Sequence, residues 1–387
     1  MRIAILTFVL GTLGFWCSPG GFTWQKSPVP VPEMFEFPNP DAALSHFESG
    51  VEWVVRMQHP NGLVESAAHT NFVSLYDNAL AALLFLKTGQ PDKAQLIFDF
   101  FQDRLESEFA QTSGGFYQFR DTLGTNGSRV WMGDNAWLLL ALRHHRLAYG
   151  STRYDGMIAK LETWLRSLQE ADGSLPGGRN EDGSPIARVT EGMITAYAAV
   201  SGFDDFHERL LGFLQRERWD ASESLLLTER SGGRYDYALD LHTLSVLIWG
   251  EPAAPMLKTA DRFYNSQLHS QTRQVVQGYC FDIDRDVIWL EGSAQMALAL
   301  KVAGQEAPYR QLLKSLEESS IPSLLYPGLK ALPYAANQGS TFGREPLWPH
   351  ADQKPAISPT VWYLFARNHF NPFALGEAAK PMPGLNS

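Results

Sequence analysis

Two kinds of apolar pattern alternate along the chain from about residue 41 to residue 373. The first kind is apolar nearly all round. Six segments show it: Leu75–Leu86, Met132–Leu142, Val189–Val200, Ala238–Trp249, Trp289–Leu300 and Ile357–Ala366. They are rich in Ala and Leu, and a helix without a polar face is a buried helix. The second kind carries one apolar stripe. In 159–168, Leu161, Trp164, Leu165 and Leu168 share a face and the charges lie opposite. That spacing predicts half-exposed amphipathic helices over 41–58, 91–108, 153–170, 204–218, 253–269 and 306–319. A short Gly-rich or extended stretch, such as Gly114-Gly-Phe-Tyr-Gln-Phe or Gly173-Ser-Leu-Pro-Gly-Gly, leads from each amphipathic helix to the next buried one.

Aligned on their first polar residue, the buried segments give Asp77, Asp134, Glu191, Asp240, Glu291 and Ser358. The intervals are 57, 57, 49, 51 and 67 residues. A period of this size marks an array of repeated supersecondary units. Six buried and six amphipathic helices in alternation predict an all-α fold, an (α/α)6 toroid with six inner and six outer helices. The alternative is an open solenoid of helical hairpins. Closure is favoured because the array starts on an outer helix and ends on an inner one. The first outer helix then covers the last inner one, and no apolar face is left bare. All inner helices run parallel, so six N-termini reach one face.

The ends differ from the repeats. Met1-Arg2 precedes an apolar run from Ile3 to Trp16, then Cys17-Ser-Pro-Gly-Gly21. The run has signal-peptide length and is short for a membrane span. Residues 1–21 are expected to be a signal peptide, with Cys17 a candidate lipid anchor. Pro28, Pro30, Pro32, Pro38 and Pro40 mark 22–40 as an extended linker. The toroid is placed at 41–373 and a C-terminal tail at 374–387. A secreted, periplasmic or envelope-anchored protein is the expectation. The other cysteine is Cys280, so the mature protein is expected to hold no internal disulfide.

Composition narrows the function. A net charge of −10 argues against a nucleic-acid partner, because neutralising phosphates needs clustered Lys and Arg. Eleven Trp, 13 Tyr and 23 Phe suit either a core or a cleft that stacks on sugar rings. Neither a phosphate-binding Gly-Lys loop, a dinucleotide fingerprint nor a serine nucleophile elbow is present. No cofactor is expected. Asp282, Asp284 and Asp286 start with calcium-loop spacing, but Val287 stands at the sharp-turn Gly place and Ser293 at the closing Glu. No metal site is assigned.

Candidate chemistry lies at the inner-helix starts. Five of six carry a carboxyl at the aligned place. Each alone reads equally as a cap or first-turn acid that satisfies free N–H groups and the helix dipole. Five converging on one hole point further, to a site that binds or protonates a ligand. Inner helices packed ~8–10 Å apart put opposite carboxyl groups roughly 6–9 Å apart. An inverting glycosidase holds its acid and base about that far apart.

The alternation, the repeat length, the export signal and the acidic helix starts together resemble the six-hairpin glycosidase superfamily. It includes glucoamylases, family-eight cellulases and chitosanases, unsaturated glucuronyl hydrolases and β-1,2-glucanases. Arg129-Val-Trp-Met-Gly-Asp134-Asn-Ala-Trp137 looks like a Gly- and Trp-flanked inner-helix start of these enzymes. Val287-Ile-Trp-Leu-Glu291-Gly looks like a second start across the ring. The resemblance implies a carbohydrate substrate, with Asp134 and Glu291 as the acid/base pair in unassigned order. Asp77, Glu191 and Asp240 are candidate ligand carboxylates. Tyr76, Trp131, Trp137, Trp289, Trp348 and Trp362 are candidate stacking rings, with core packing the equal alternative. His242 is a candidate cleft residue. The insertion 334–359, with Trp348, His350 and Asp352, reads as a lid or a plain surface loop. Arg120, Arg129, Arg179 and Arg188 fall near the open face and leave a uronic-acid substrate open. A carbohydrate-binding protein that lost catalysis, a sugar epimerase, which in this fold uses paired histidines, and a polysaccharide lyase are the alternatives.

Overall fold

The computed structural model describes residues 44–112, 114–229, 236–339 and 350–384. The signal and linker segments, Cys17 and Trp348 lie outside the described residues. The inner helices are Leu75–Lys87, Met132–Tyr149, Thr190–Ala199, Leu239–Trp249, Leu290–Val302 and Ile357–Arg367. Each packs on the next, and the sixth packs on the first, so the ring is closed. The outer layer is His46–Arg56, Pro91–Gln102, Asp155–Ser167, Asp205–Glu217, Glu251–Phe263 and Glu306–Glu318. The first outer helix covers the sixth inner helix, 300 residues further on, and each later one covers the inner helix before it. The fold is the (α/α)6 toroid. Among the described residues no helix is long and apolar enough to cross a membrane.

Two repeats show how the turns are held. After the first outer helix, Gln58 Nε2 donates to Gly62 O at 3.0 Å and to Lys93 O of the second outer helix at 2.9 Å. After the third, Gln169 Nε2 donates to Gly173 O at 3.2 Å and to Phe206 O of the fourth at 2.9 Å. Both glycines have φ +93°. A Cβ would stand 2.2 Å from Leu96 O or 2.3 Å from Arg209 O. The repeated Gln…Asn/Asp-Gly thus docks each turn on the following outer helix, where only glycine fits.

The fifth outer element departs from the expected α-helix over 253–269. It is a 3₁₀ helix, Glu251–Phe263, followed by a strand, Tyr264–Leu268, paired with Val275–Tyr279. Pro255 inside it has no N–H to continue an α-helical ladder. The extended stretches at the open face also do more than connect. Val73–Ser74 (β1), Tyr117–Arg120 (β2), Ser128–Trp131 (β3), Gly178–Arg179 (β4) and Pro185–Ile186 (β5) form one antiparallel five-stranded sheet.

The other end of the ring is closed by the last described residues. Asn371 Nδ2 donates to Leu247 O at 3.0 Å, while Tyr197 Oη and Trp249 Nε1 both donate to Pro381 O. Lys380 Nζ donates to the free carbonyls of the third inner helix end, Tyr197 O at 2.9 Å, Ala198 O at 3.3 Å and Val200 O at 2.6 Å. Phe373, Leu375 and Met382 are buried. The segment read as a tail is therefore a packed plug as far as Gly384.

Candidate active site

The five acids stand inside their helices, not at the caps. The N-cap positions are Ser74, Trp131, Val189, Ala238 and Trp289, and only Ser74 makes a side-chain capping bond. Asp77, Asp134, Glu191, Asp240 and Glu291 follow two or three residues later, in the first turn. Capping therefore does not account for them. All five are buried, between 0 and 8% exposed. They form one electrostatic cluster. Glu191 feels the charges of Asp240, Asp134 and Glu291, while Glu291 feels those of Asp77 and Asp240.

Burial dominates their protonation, since a low-dielectric site disfavours the charged form. It pushes Asp77 up to about 7, against the Ser66 hydroxyl and the Ser358 main chain that favour the anion. It pushes Asp240 up to about 7. Glu191 is raised well above the carboxylate range by burial and then by its three acidic neighbours. Neither of its oxygens has a side-chain partner. Glu291 is pushed up to about 8, chiefly by burial, although Tyr76 and Ser358 pull the other way. Burial thus brings the titration of these carboxyls up from the acid range toward neutrality.

Tyr76 links the first inner helix to the fifth and the sixth. Its hydroxyl donates to Glu291 Oε1 at 2.7 Å and accepts from Trp362 Nε1 at 2.7 Å. Gln295 Nε2, one turn on, lies 3.4 Å from the same Glu291 oxygen. Asp134 lies across the ring from Glu291, on the second inner helix. Its charge acts on Arg129, a buried guanidinium in β3 that also donates to Gln118 Oε1 at 2.5 Å. Two of the other basic candidates are engaged elsewhere, and Arg179 lies exposed in β4. Arg120 is paired with buried Glu108 at 2.8 Å, and Arg188 with Glu170 and Asp172.

The remaining candidates divide. Trp137 fills the bore beside Tyr76 and Trp362. Trp131 packs with Ile186 and Val189 beneath the sheet, and Trp289 packs on Phe281. Both are fully buried. His242 is brought against Phe263 of the outer layer, with ring centroids 5.0 Å apart, and its Nδ1 donates to Ala238 O. Burial pushes it down to about 4, so it is neutral. Of the insertion, His350 is exposed and held to Gln353, whereas Asp352 is buried and accepts from Gln338. Among the described residues no group of three His, Cys, Asp or Glu is arranged to hold a metal ion.

Ser66 and Ser358 belong to the site and were not singled out for it by sequence, whereas Trp362, expected as a stacking ring, serves it through its indole N–H. Ser358 was visible only as the non-acidic sixth member of the aligned column.

Asp240 gives a test of the buried charge. Its folded-state value near 7 exceeds the ordinary 3.8. The folded chain thus binds this proton more tightly than the unfolded chain. The resulting stabilisation is complete below about pH 4 and is lost as pH rises through about 7. Asp240→Asn has no such loss. Its melting temperature is expected to climb relative to wild type between about pH 5 and pH 8. A difference that stays constant over that range contradicts a proton held at Asp240.

No protein-family model matches the chain. No curated protein matches it in sequence. Solved structures do match in fold. A wild-type glycosidase is similar with a TM-score of 0.60 at 12% identity, over 84% of this chain and 96% of that one. A D-mannose isomerase is similar with a TM-score of 0.59 at 13%, over 84% and 96%. An α-amylase from Clostridium perfringens is similar with a TM-score of 0.59 at 13%, over 86% and 99%. At such identities the likeness is one of fold.

Proposed function

We propose that this chain is a carbohydrate-processing enzyme, a glycoside hydrolase working with two carboxyl groups. The observation that carries the reading is Glu291. It is a fully buried carboxyl, pushed up to about 8, fixed by a tyrosine hydroxyl and set among four other acids at the N-terminal end of the inner ring. A general acid must hold its proton at the working pH and be oriented, and Glu291 meets both needs. Asp134, across the ring with Arg129 beside it, is assigned as the base.

In the proposed step Glu291 gives its proton to the glycosidic oxygen as the bond from that oxygen to the anomeric carbon breaks. Water attacks the anomeric carbon from the opposite side and its proton passes to Asp134. The outcome is inversion, if the carboxyl separation is that of inverting enzymes. Asp77, Glu191 and Asp240 are left to hold sugar hydroxyls. The names of the similar structures, a glycosidase and an α-amylase, support a sugar substrate. The D-mannose isomerase supports sugar chemistry without hydrolysis. Carboxyl chemistry is favoured here because His242 turns to the outer layer instead of standing beside Asp240. Export and anchoring at Cys17 belong to the same proposal.

The test is a panel of neutral, amino and uronic oligosaccharides, read by reducing-end release and by NMR of the first anomer formed. Cleavage with inversion is expected for at least one class. A panel in which nothing is cleaved, or in which a sugar is only isomerised, removes the hydrolase reading.

A further inference from the structure

The plug at the closed end touches the site. Phe373, fully buried, lies with its ring centroid 4.8 Å from that of Trp137. Trp137 meets Tyr76 edge-on at 5.5 Å and Trp362 at 5.8 Å with the planes perpendicular. Trp362 donates to the Tyr76 hydroxyl, which donates to Glu291. The C-terminal segment is thus joined to the Glu291 carboxyl by two ring contacts and one hydrogen bond through Tyr76, with Trp362 bracing Trp137 and the Tyr76 hydroxyl from the side. Every member is at most 4% exposed. Interiors are packed like crystals, so such a chain has little slack to absorb a gap. The segment beyond Phe373 is anchored independently, by Lys380 on the third inner helix and by an ion pair of Glu377 with Arg143.

We propose that the C-terminal segment, acting through Phe373 and Trp137, is a positioning element that seats the Tyr76 hydroxyl on Glu291. Phe373 and Trp137 touch no substrate in this arrangement. Their role is to hold a hydroxyl that two residues share. For catalysis the proposal rests on Glu291 being the acid. As a statement about the carboxyl it stands without any substrate.

The experiment is a titration of Glu291 in the full chain by ¹³C NMR of glutamate-labelled protein, with Glu291→Gln assigning the resonance. The groups that face it are Asp77 and Tyr76 of the first inner helix, Glu191 of the third, Asp240 of the fourth, Gln295 of its own and Ser358 of the sixth. All are unchanged in Phe373→Ala. The tyrosine bond favours the carboxylate, so Tyr76→Phe is expected to raise the Glu291 midpoint. Phe373→Ala is expected to raise it too, by less, and Phe373→Leu to restore most of the wild-type value. A residue that merely fills space lowers the melting temperature and leaves the midpoint alone. That result in Phe373→Ala, with Tyr76→Phe shifted, overturns the proposal. An unmoved midpoint in Tyr76→Phe overturns it as well. If Phe373→Ala does not fold, Lys380→Met, which releases the segment at its anchor on the third inner helix, carries the test, and an unmoved midpoint in it is decisive against the proposal. Failure of the hydrolase reading appears in the glycan panel and leaves this titration untouched.

Discussion

Glu291→Gln is expected to lower kcat on the cleaved glycan by about 10²–10⁴-fold, the usual worth of a general acid. The amide matches the carboxyl in size and still accepts from Tyr76, so the bore keeps its shape. It carries no proton acidic enough to give to a leaving oxygen. KM is expected to change little, because the loss falls on the transition state. Wild-type Glu291 is forced to ionise as pH passes about 8, so the variant is also expected to be the more stable protein in alkaline solution. Asp134→Asn is expected to give a fall of the same order, since it removes the group that takes the proton from water. Initial rates and thermal unfolding at two pH values check both statements. A Glu291→Gln enzyme keeping more than about a tenth of wild-type kcat would end the assignment of Glu291 as acid.

The second large effect is on stability. Asn135→Ala is expected to lower the free energy of unfolding by roughly 3 kcal/mol, from the cost of stranding buried polar groups. Asn135 is fully buried. Its Oδ1 accepts from Phe116 N at 2.7 Å, and its Nδ2 donates to Phe116 O at 3.0 Å and Trp131 O at 2.8 Å. The amide is therefore a clamp that takes both main-chain groups of the approaching strand and ties them to the helix start. Asn78 does the same one repeat earlier, with Val64 N and O and with Ser74 O. Alanine leaves these groups in an apolar interior without partners. Asn135→Asp is expected to do no better, because it loses the two donated bonds and buries a charge. Denaturant unfolding is the measurement. A loss below about 0.5 kcal/mol, the scale of an ordinary surface change, contradicts the clamp.

The Asn clamps show where sequence reading reaches and where it stops. The column Asp77, Asp134, Glu191, Asp240, Glu291 was legible because helices apolar all round make a lone acid conspicuous. The alternation of patterns gave the order of layers and the closure by the first outer helix for the same reason. The Asn beside Asp77 and Asp134 was equally visible, yet its partners are main-chain atoms 14 and 19 residues away. No side-chain pattern encodes those. Gly173 was visible as part of a Gly-rich connection, but the clash that requires glycine there, as at Gly62, involves the following outer helix. The aromatic candidates were ambiguous in sequence for a physical reason. A Trp near a helix start packs against its own repeat, as Trp289 does, against the next repeat, as Trp131 does, or into the bore, as Trp137 does, and no local pattern tells these apart. The plug was hidden because residues 371–384 have no periodicity. Their order comes from free carbonyls at the inner-helix ends, met by Lys380 and Asn371, and from the Pro381 carbonyl, which accepts from the Tyr197 and Trp249 side chains.

Ring closure has a consequence for the chain while it is being made. The first outer helix, His46–Arg56, leaves the ribosome with an apolar stripe that is covered, among the described residues, by Ile357–Arg367 and the strand Lys330–Ala331. About 300 residues must be translated in between, which at 5–20 residues per second takes roughly 15–60 s. For that interval the oldest helix is a sticky surface awaiting the youngest. A chaperone that binds short apolar segments should therefore be found on nascent chains at 46–56 until synthesis ends.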